Sequence, residues 1–283
     1  MGGGSPRISN GYAVPLSNLQ SRLLRLLASQ RSPDSYVAGG IALNHDGPRY
    51  SADIDIFHDG DERLAAIAES DAAIIAAAGF DVTWLPSRGT GKRAILVAGL
   101  GERTQLEWVA DADFRFFPAQ PDELFGFVLH PADLATNKAS AAADRRVPRD
   151  IVDLVTIHER ILPLGAVITA AVGRFPGMTP EEMLAEIRRH ATFTADEFQV
   201  LATDKPIDPR KLQKRIKSML DDAEAFIARL PSDAVGVLFL DGDKPVQPDP
   251  AALDRYRRHE GTRRGHWPSS PEIGTAMLER YEE

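Results

Sequence analysis

The sequence predicts an α+β fold: a mixed sheet with helices on one side over residues 1–127, then a mainly α-helical region over residues 128–283. Three observations predict it. Strand-type runs are confined to the first half, a Gly-Gly turn and an Asp-Ile-Asp strand sit close together within it, and long amphipathic helical patterns fill the second half.

Leu16, Leu19, Leu23, Leu26 and Leu27 recur at three- and four-residue spacing, so a first helix has one buried face. After the Ser32-Pro33-Asp34 breaker, Tyr36-Val-Ala38 reads as a strand running into Gly39-Gly40 and a short apolar helix from Ile41 to Leu43, broken at Asp46-Gly-Pro48. A strand follows from Ala52 to Phe57, then a helix from Leu64 to Ala78 that stops at Gly79, where a left-handed cap is inexpensive. Phe80–Leu85, Ala94–Val97 and Thr104–Val109 read as strands. Helices are expected over Pro131–Ala143, Pro148–Ile161, Leu164–Val172, Pro180–His190, Ala195–Thr203 and Pro209–Leu230. A hairpin pairs Val235–Leu240 with Lys244–Val246 around Asp241-Gly-Asp243.

The 283 residues are 43% apolar and 26% charged, an ordinary globular balance. No run approaches the roughly 18 apolar residues of a membrane span, and Met1-Gly-Gly-Gly-Ser5 is no secretion signal, so a cytoplasmic location is expected. Cysteine is absent, so any metal must sit on oxygen or imidazole, and the seven histidines are too scattered for a zinc site. A net charge of -8 argues against a protein that coats nucleic acid non-specifically.

Side chains at i and i+2 of a strand share a face, so Asp53 and Asp55 project together while Ile54 and Ile56 point into the core. Such a pair repels itself unless a divalent cation lies between the carboxylates, and magnesium favours carboxylates together with substrate phosphates. Gly39-Gly40, at the start of a helix, lets backbone N–H groups approach a polyphosphate with no Cβ in the way. Lys138 is a compact cation able to neutralise phosphate charge, and an arginine from the loop that follows, Arg146 or Arg149, can clamp phosphate oxygens. Pro148 starts a helix that places Asp150 and Asp153 one turn apart on one face; Asp150 is a catalytic candidate or a partner of Arg146 or Arg149.

Ala38-Gly39-Gly40, the twelve residues 41–52, and Asp53-Ile-Asp-Ile56 together resemble the signature of the polymerase-β-type nucleotidyltransferase superfamily. With Ile41-Ala-Leu43, the Arg49-Tyr-Ser-Ala-Asp53 segment, and Lys138 followed by Arg149-Asp150-Ile-Val-Asp153-Leu154, the chain is similar to the AbiEii/AbiGii-type toxin nucleotidyltransferases, including the MenT toxins. The resemblance implies a polymerase-β-like first domain that transfers NMP from an NTP to a hydroxyl and releases pyrophosphate. It implies magnesium, or manganese in its place, on Asp53, Asp55 and a third carboxylate. Glu107 in Gln105-Leu-Glu107-Trp108 is the best placed candidate for the third, with Asp111 or Asp113 as alternatives. Arg49 and Ser51 become candidate substrate contacts. The resemblance further implies the toxin of a bacterial toxin–antitoxin or phage-defence pair, hence a cognate antitoxin and an RNA acceptor, which is the tRNA 3′ end in the MenT branch.

Two basic stretches are candidate acceptor surfaces. One is the helix face bearing Arg210, Lys211, Lys214 and Lys217; the other is Arg255–His259 with Arg263–Trp267, which mixes cations with stackable rings. A solvated charge run is the default reading of the first, and neither cluster specifies sequence. The residues leave open a protein or small-molecule hydroxyl as acceptor, and a non-catalytic nucleotide-binding module.

Overall fold

A computed structural model describes residues 16–45, 47–86, 91–111, 114–175 and 177–263. Helix α1 (Asn18–Leu27) opens with a Ser17/Gln20 capping box and buries Leu19, Leu23, Leu24 and Leu27. Strand β1 (Ser35–Ala38) passes directly into α2 (Gly39–Leu43). Strand β2 (Asp53–Asp59) alternates buried and half-buried residues, and α3 (Leu64–Ala77) ends before Gly79, whose φ of +88° is the left-handed turn expected there.

Strands β3 (Asp81–Trp84), β4 (Lys92–Gly99) and β5 (Glu102–Asp111) extend the sheet, and β6 (Phe114–Arg115), β7 (Gln120–Asp122) and β8 (Gly126–Val128) follow. The seven-stranded sheet runs β3-β4-β5-β2-β1-β8-β7; β2 lies parallel to β5 and antiparallel to β1. Ile54, Ile56, Leu106 and Trp108 pack with α1 and α3 on one face. Under them Asp71 of α3 accepts from Arg31 (2.5 Å) and from the Trp108 indole (2.8 Å), so this buried carboxylate is paired. The opposite face carries Asp53, Asp55 and Glu107 toward the helical half.

That half contains α4 (Pro131–Asp144), α5 (Pro148–Arg160), α6 (Leu164–Ala171), α7 (Pro180–His190), α8 (Ala195–Gln199) and α9 (Pro209–Ile227). Proline at the first turn of α4, α5, α7 and α9 suits positions where no backbone N–H is needed. Their apolar faces form a second core around Leu154, Val167, Ile187, Met219 and Phe226, distinct from the core beneath the sheet. Strands β9 (Val237–Asp241), β10 (Lys244–Val246) and β11 (Arg257–Glu260) make a small antiparallel sheet, and β12 (Thr262–Arg263) pairs with β6.

Three features depart from expectation. Residues 114–128 hold three short strands where no alternation was evident; Pro118 and Pro121 interrupt the pattern, and β7 lies at the sheet edge, where proline is tolerated. Helix α8 stops at Gln199 instead of Thr203 because the next residues pair with the chain near β2: Tyr50 N–H donates to Ala202 (2.9 Å) and Asp204 N–H to Pro48 (3.0 Å). The basic segment before His259 becomes β11, a strand rather than an open surface.

Candidate active site

On the parallel pair β2/β5, Asp53 stands opposite Gln105 and Asp55 opposite Glu107, so three carboxylates share one patch of one sheet face. Asp53 and Asp55 are both pushed above the usual carboxylate range. Burial is the largest cause for each, and Glu107 adds to it in both, with Asp53 adding further at Asp55. Arg149, 3.6 Å from Asp53, opposes the first shift; Lys138 and the Gly40 backbone N–H oppose the second. Glu107 is itself engaged by Lys92 and by the Gln105 amide. Among the described residues no three His, Asp or Glu side chains gather tightly enough to cage a metal on their own.

Gly39 has φ +68°, and a Cβ there would lie 1.9 Å from the Asp55 carboxylate, so only glycine allows β1 to pass this close to β2. At Gly40 a Cβ would meet the Arg49 guanidinium at 2.7 Å and the Ser51 hydroxyl at 2.9 Å. Ser51 donates to the Asp53 carbonyl (3.2 Å), which fixes the entry to β2.

Behind this face lies a buried polar relay centred on Asp153 of α5. Asp153 accepts from Arg49 through both carboxylate oxygens (2.8 and 2.9 Å), from the Asn44 amide (3.0 Å) and from Lys138 (2.7 Å). Burial alone would raise its pKa, but Lys138 and Arg49 outweigh that and hold the carboxyl below its usual range. Its helix neighbour Asp150, fully buried, takes a two-point contact from Arg145 (2.8 and 3.2 Å). Arg145 is half exposed and close enough to Asp55 to feel its charge. Carboxylates on a strand, a glycine turn against them, and cations held by buried acids form an arrangement suited to gathering phosphate charge.

The family model described as nucleotidyl transferase AbiEii toxin, Type IV TA system, matches residues 22–235. This chain belongs to that family. It is a nucleotidyltransferase of the AbiEii toxin kind. Among solved structures it resembles MenT4, a nucleotidyltransferase toxin from Mycobacterium tuberculosis H37Rv, at 18% identity and a TM-score of 0.51 over 76% of this chain and 83% of that one. It also matches JHP933 from Helicobacter pylori, at 13% identity and a TM-score of 0.42 over 75% and 90%. No curated protein sequence matches.

In this AbiEii chain several expected contacts fall elsewhere. Arg49 is 4% exposed with its fork committed to Asp153, so it braces the relay instead of meeting substrate. Arg146 turns away to Glu197 (2.8 and 3.1 Å) and the Thr192 carbonyl and lies over Phe193; the adjacent Arg145, on Asp150, is the one whose charge reaches Asp55. Asp150 is sealed beneath Arg145, with Lys138 3.8 Å away, and acts as a support. Asp111 pairs with Arg174 and accepts from the Tyr36 hydroxyl (3.1 Å), two same-face positions beyond Glu107, which removes it as the third carboxylate; Asp113 lies outside the described residues.

Lys211 and Lys214 stand on α9, and Lys211 comes within 3.8 Å of Asp208. In β11, Arg257 pairs with Asp243, Arg258 with Asp233, and the His259 ring contacts the Phe116 carbonyl at 2.7 Å. That segment is spent on its own sheet, and residues 264–267 lie outside the described residues. The residues that sequence reasoning missed are Arg145 and Asp153. Asp153 was visible as the second acid of the Arg149-Asp150-Ile-Val-Asp153 run; Arg145 was hidden by its neighbour Arg146.

Proposed function

We propose that the chain transfers NMP from an NTP to a hydroxyl of RNA, the tRNA 3′ end being the acceptor, and that this transfer is its toxic activity. The observation that carries the reading is the carboxylate patch of Asp53, Asp55 and Glu107, whose charge is only partly offset by Arg149 and Lys138. Two partly buried carboxylates, raised above their usual range by burial first and by neighbouring acid charge second, fit a divalent cation, and magnesium commonly uses one or two protein carboxylates with phosphate and water completing its shell. Asp53 and Asp55 would hold that magnesium or manganese, which supplies neutralisation of phosphate charge.

The chain's own groups then have separate tasks. The acceptor oxygen bonds to the α-phosphorus as the bond to the pyrophosphate oxygen breaks, and the hydroxyl proton passes to Glu107, beside Asp55 in the register. Arg145 and Arg149, both partly exposed, orient the triphosphate, and Lys138 offsets charge gathering on the departing pyrophosphate. Family membership and the cationic face of α9, where Arg210 and Lys214 have no ion pair among the described residues, support an RNA acceptor. Type IV membership implies a cognate antitoxin. No helix among the described residues is long and apolar enough to cross a membrane.

Purified protein incubated with each labelled NTP, magnesium and total tRNA should put label into RNA, and Asp55→Ala and Lys138→Ala should abolish it. Label appearing on protein or small hydroxyl compounds would replace the acceptor. Label in RNA that persists in Asp55→Ala would overturn the assignment of the site.

A further inference from the structure

A cavity of about 320 Å³ opens between α5, the first turns of α9 and the 203–208 segment. Its size is at the lower end of small-ligand sites. Its floor is aliphatic, from Pro48, Val152, Val155, Ile207 and Leu212, while Lys205, Lys211 and Arg215 stand among its lining with Asp204 and Asp208. Lys205 has no ion pair among the described residues, Lys211 only the 3.8 Å approach to Asp208, and Arg215 a two-point pair with Glu159. Apolar walls with Lys205 and Lys211 at one side suit a ligand with a flat or apolar body and a phosphate at one end. Asp204, also in the lining, supplies an acceptor for an amino group on that body.

The cavity lies beside the Asp153 relay. At ~100° per helical residue, Val152, Val155 and Thr156 occupy the face of α5 next to the one bearing Arg149 and Asp153. Pro48 and Thr203 line the cavity from the short backbone ladder joining residues 48–50 to 202–204, and Arg49, between Pro48 and Tyr50 on that ladder, sends its guanidinium to Asp153. A ligand seated here would rest on the segment that sets Arg49.

We propose that this cavity is a second binding site, separate from the carboxylate patch, for one nucleoside monophosphate unit bearing an amino group on its base. The choice of ligand rests on the nucleotidyl-transfer reading; the existence of the site rests on the cavity. The unit's source is a free nucleotide or the terminal residue of an RNA strand, which share this chemistry.

The test is calorimetric titration of the full chain, in EDTA, with AMP, CMP, UMP and inorganic phosphate, then with a short RNA ending in A in competition with AMP. AMP and CMP should bind more tightly than UMP, and phosphate alone should bind at least about tenfold more weakly. The Lys205→Glu/Lys211→Glu double variant, which touches only exposed side chains, should weaken AMP about tenfold or more, and Val155→Phe should block it by filling the floor. Asp53→Asn should leave AMP binding unchanged. Displacement of AMP by the RNA identifies a strand end as the source, and no displacement identifies the free nucleotide; both sustain the site. AMP binding that survives the double variant, that disappears with Asp53→Asn, or that phosphate matches would overturn it. The two readings fail separately: label in RNA without AMP binding sinks only the cavity, and AMP binding at the cavity without transfer sinks only the activity.

Discussion

The same pair of strands carries acids at both ends, and the ends are treated differently. At one, burial first and the neighbouring acid charge second raise Asp53 and Asp55 above the usual carboxylate range, and the nearby Arg149 and Lys138 do not offset this. At the other, Asp59 and Asp111 stand opposite each other in the register and are closed by Arg115 (2.5 Å to Asp59), Arg174 and the Tyr36 hydroxyl. Arg174 also reaches Asn137, beside Lys138 on α4, so the closed end ties the sheet to the helical half. Matched charge marks the brace, and the surplus negative charge at the other end would draw a cation.

The largest expected effects separate these ends. Asp55→Ala should lower transfer at least about 100-fold while leaving thermal stability equal or higher, because it removes a self-repelling buried charge. Arg174→Ala should do the reverse, costing ~3–5 kcal/mol by leaving Asp111 poorly paired, with activity per folded molecule largely kept. Denaturant titration and labelled-NTP transfer on both variants check the pair, and an Arg174 variant that is stable but inactive would erase the distinction. The relay should behave as a hybrid: Asp153→Ala strands Arg49 and Lys138 without their shared acid, so a loss of ~3–5 kcal/mol is expected together with a large loss of transfer.

A smaller effect sharpens the cationic rim. Arg145→Ala should raise KM for the NTP and lower transfer by roughly 10- to 100-fold, since it removes both the rim cation and the cover over Asp150. Arg146→Ala, one residue along, should change transfer little, because its guanidinium serves Glu197 and Thr192. Steady-state kinetics on both variants decide which arginine serves the site, and equal effects would count against the assignment.

The carboxylate strand and its glycine turn were legible because their geometry is local. Period-two alternation puts Asp53 and Asp55 on one face whatever surrounds them, and the Gly39-Gly40 spacing survives into the close approach of β1 to Asp55. The relay was not, because Asp153 acquires its role from Arg49, 104 residues away in sequence. Choosing between Arg145 and Arg146 needs the point at which α4 ends: Arg145 caps it in an extended conformation, φ -144° and ψ 149°, and so faces Asp150 while its neighbour swings outward. The strands after β5 were illegible because β7 and β8 are three residues each and lean on the sheet for stability.

The smallest effect concerns the helix that presents Lys138. His130 caps α4 by accepting the Ala132 N–H on Nδ1 (3.1 Å), which a neutral imidazole alone can do. Its ring is stacked on Phe117 (4.0 Å), itself stacked on His259 (4.6 Å). Burial first, then the neighbouring His259, push its pKa down to about 4. Between pH 4 and 6.5 the unfolded chain therefore binds a proton that the folded one refuses, so the stability His130 contributes is complete above about pH 6.5 and is lost as pH falls through 4. Asp133, one turn into the same helix and accepting from the Phe116 and Phe117 N–H groups, works in the opposite sense: burial pushes it up to about 6, so its cost is present above that pH and is relieved in acid. Total stability mixes the two, and the difference between the protein and His130→Asn, which keeps a capping acceptor but does not titrate in this range, isolates the histidine. That difference in unfolding free energy should be constant above about pH 7 and shift steadily against the parent protein as pH is lowered toward 4. A flat difference across that range would mean that folding does not change the ring's proton affinity and would count against the neutral-ring cap.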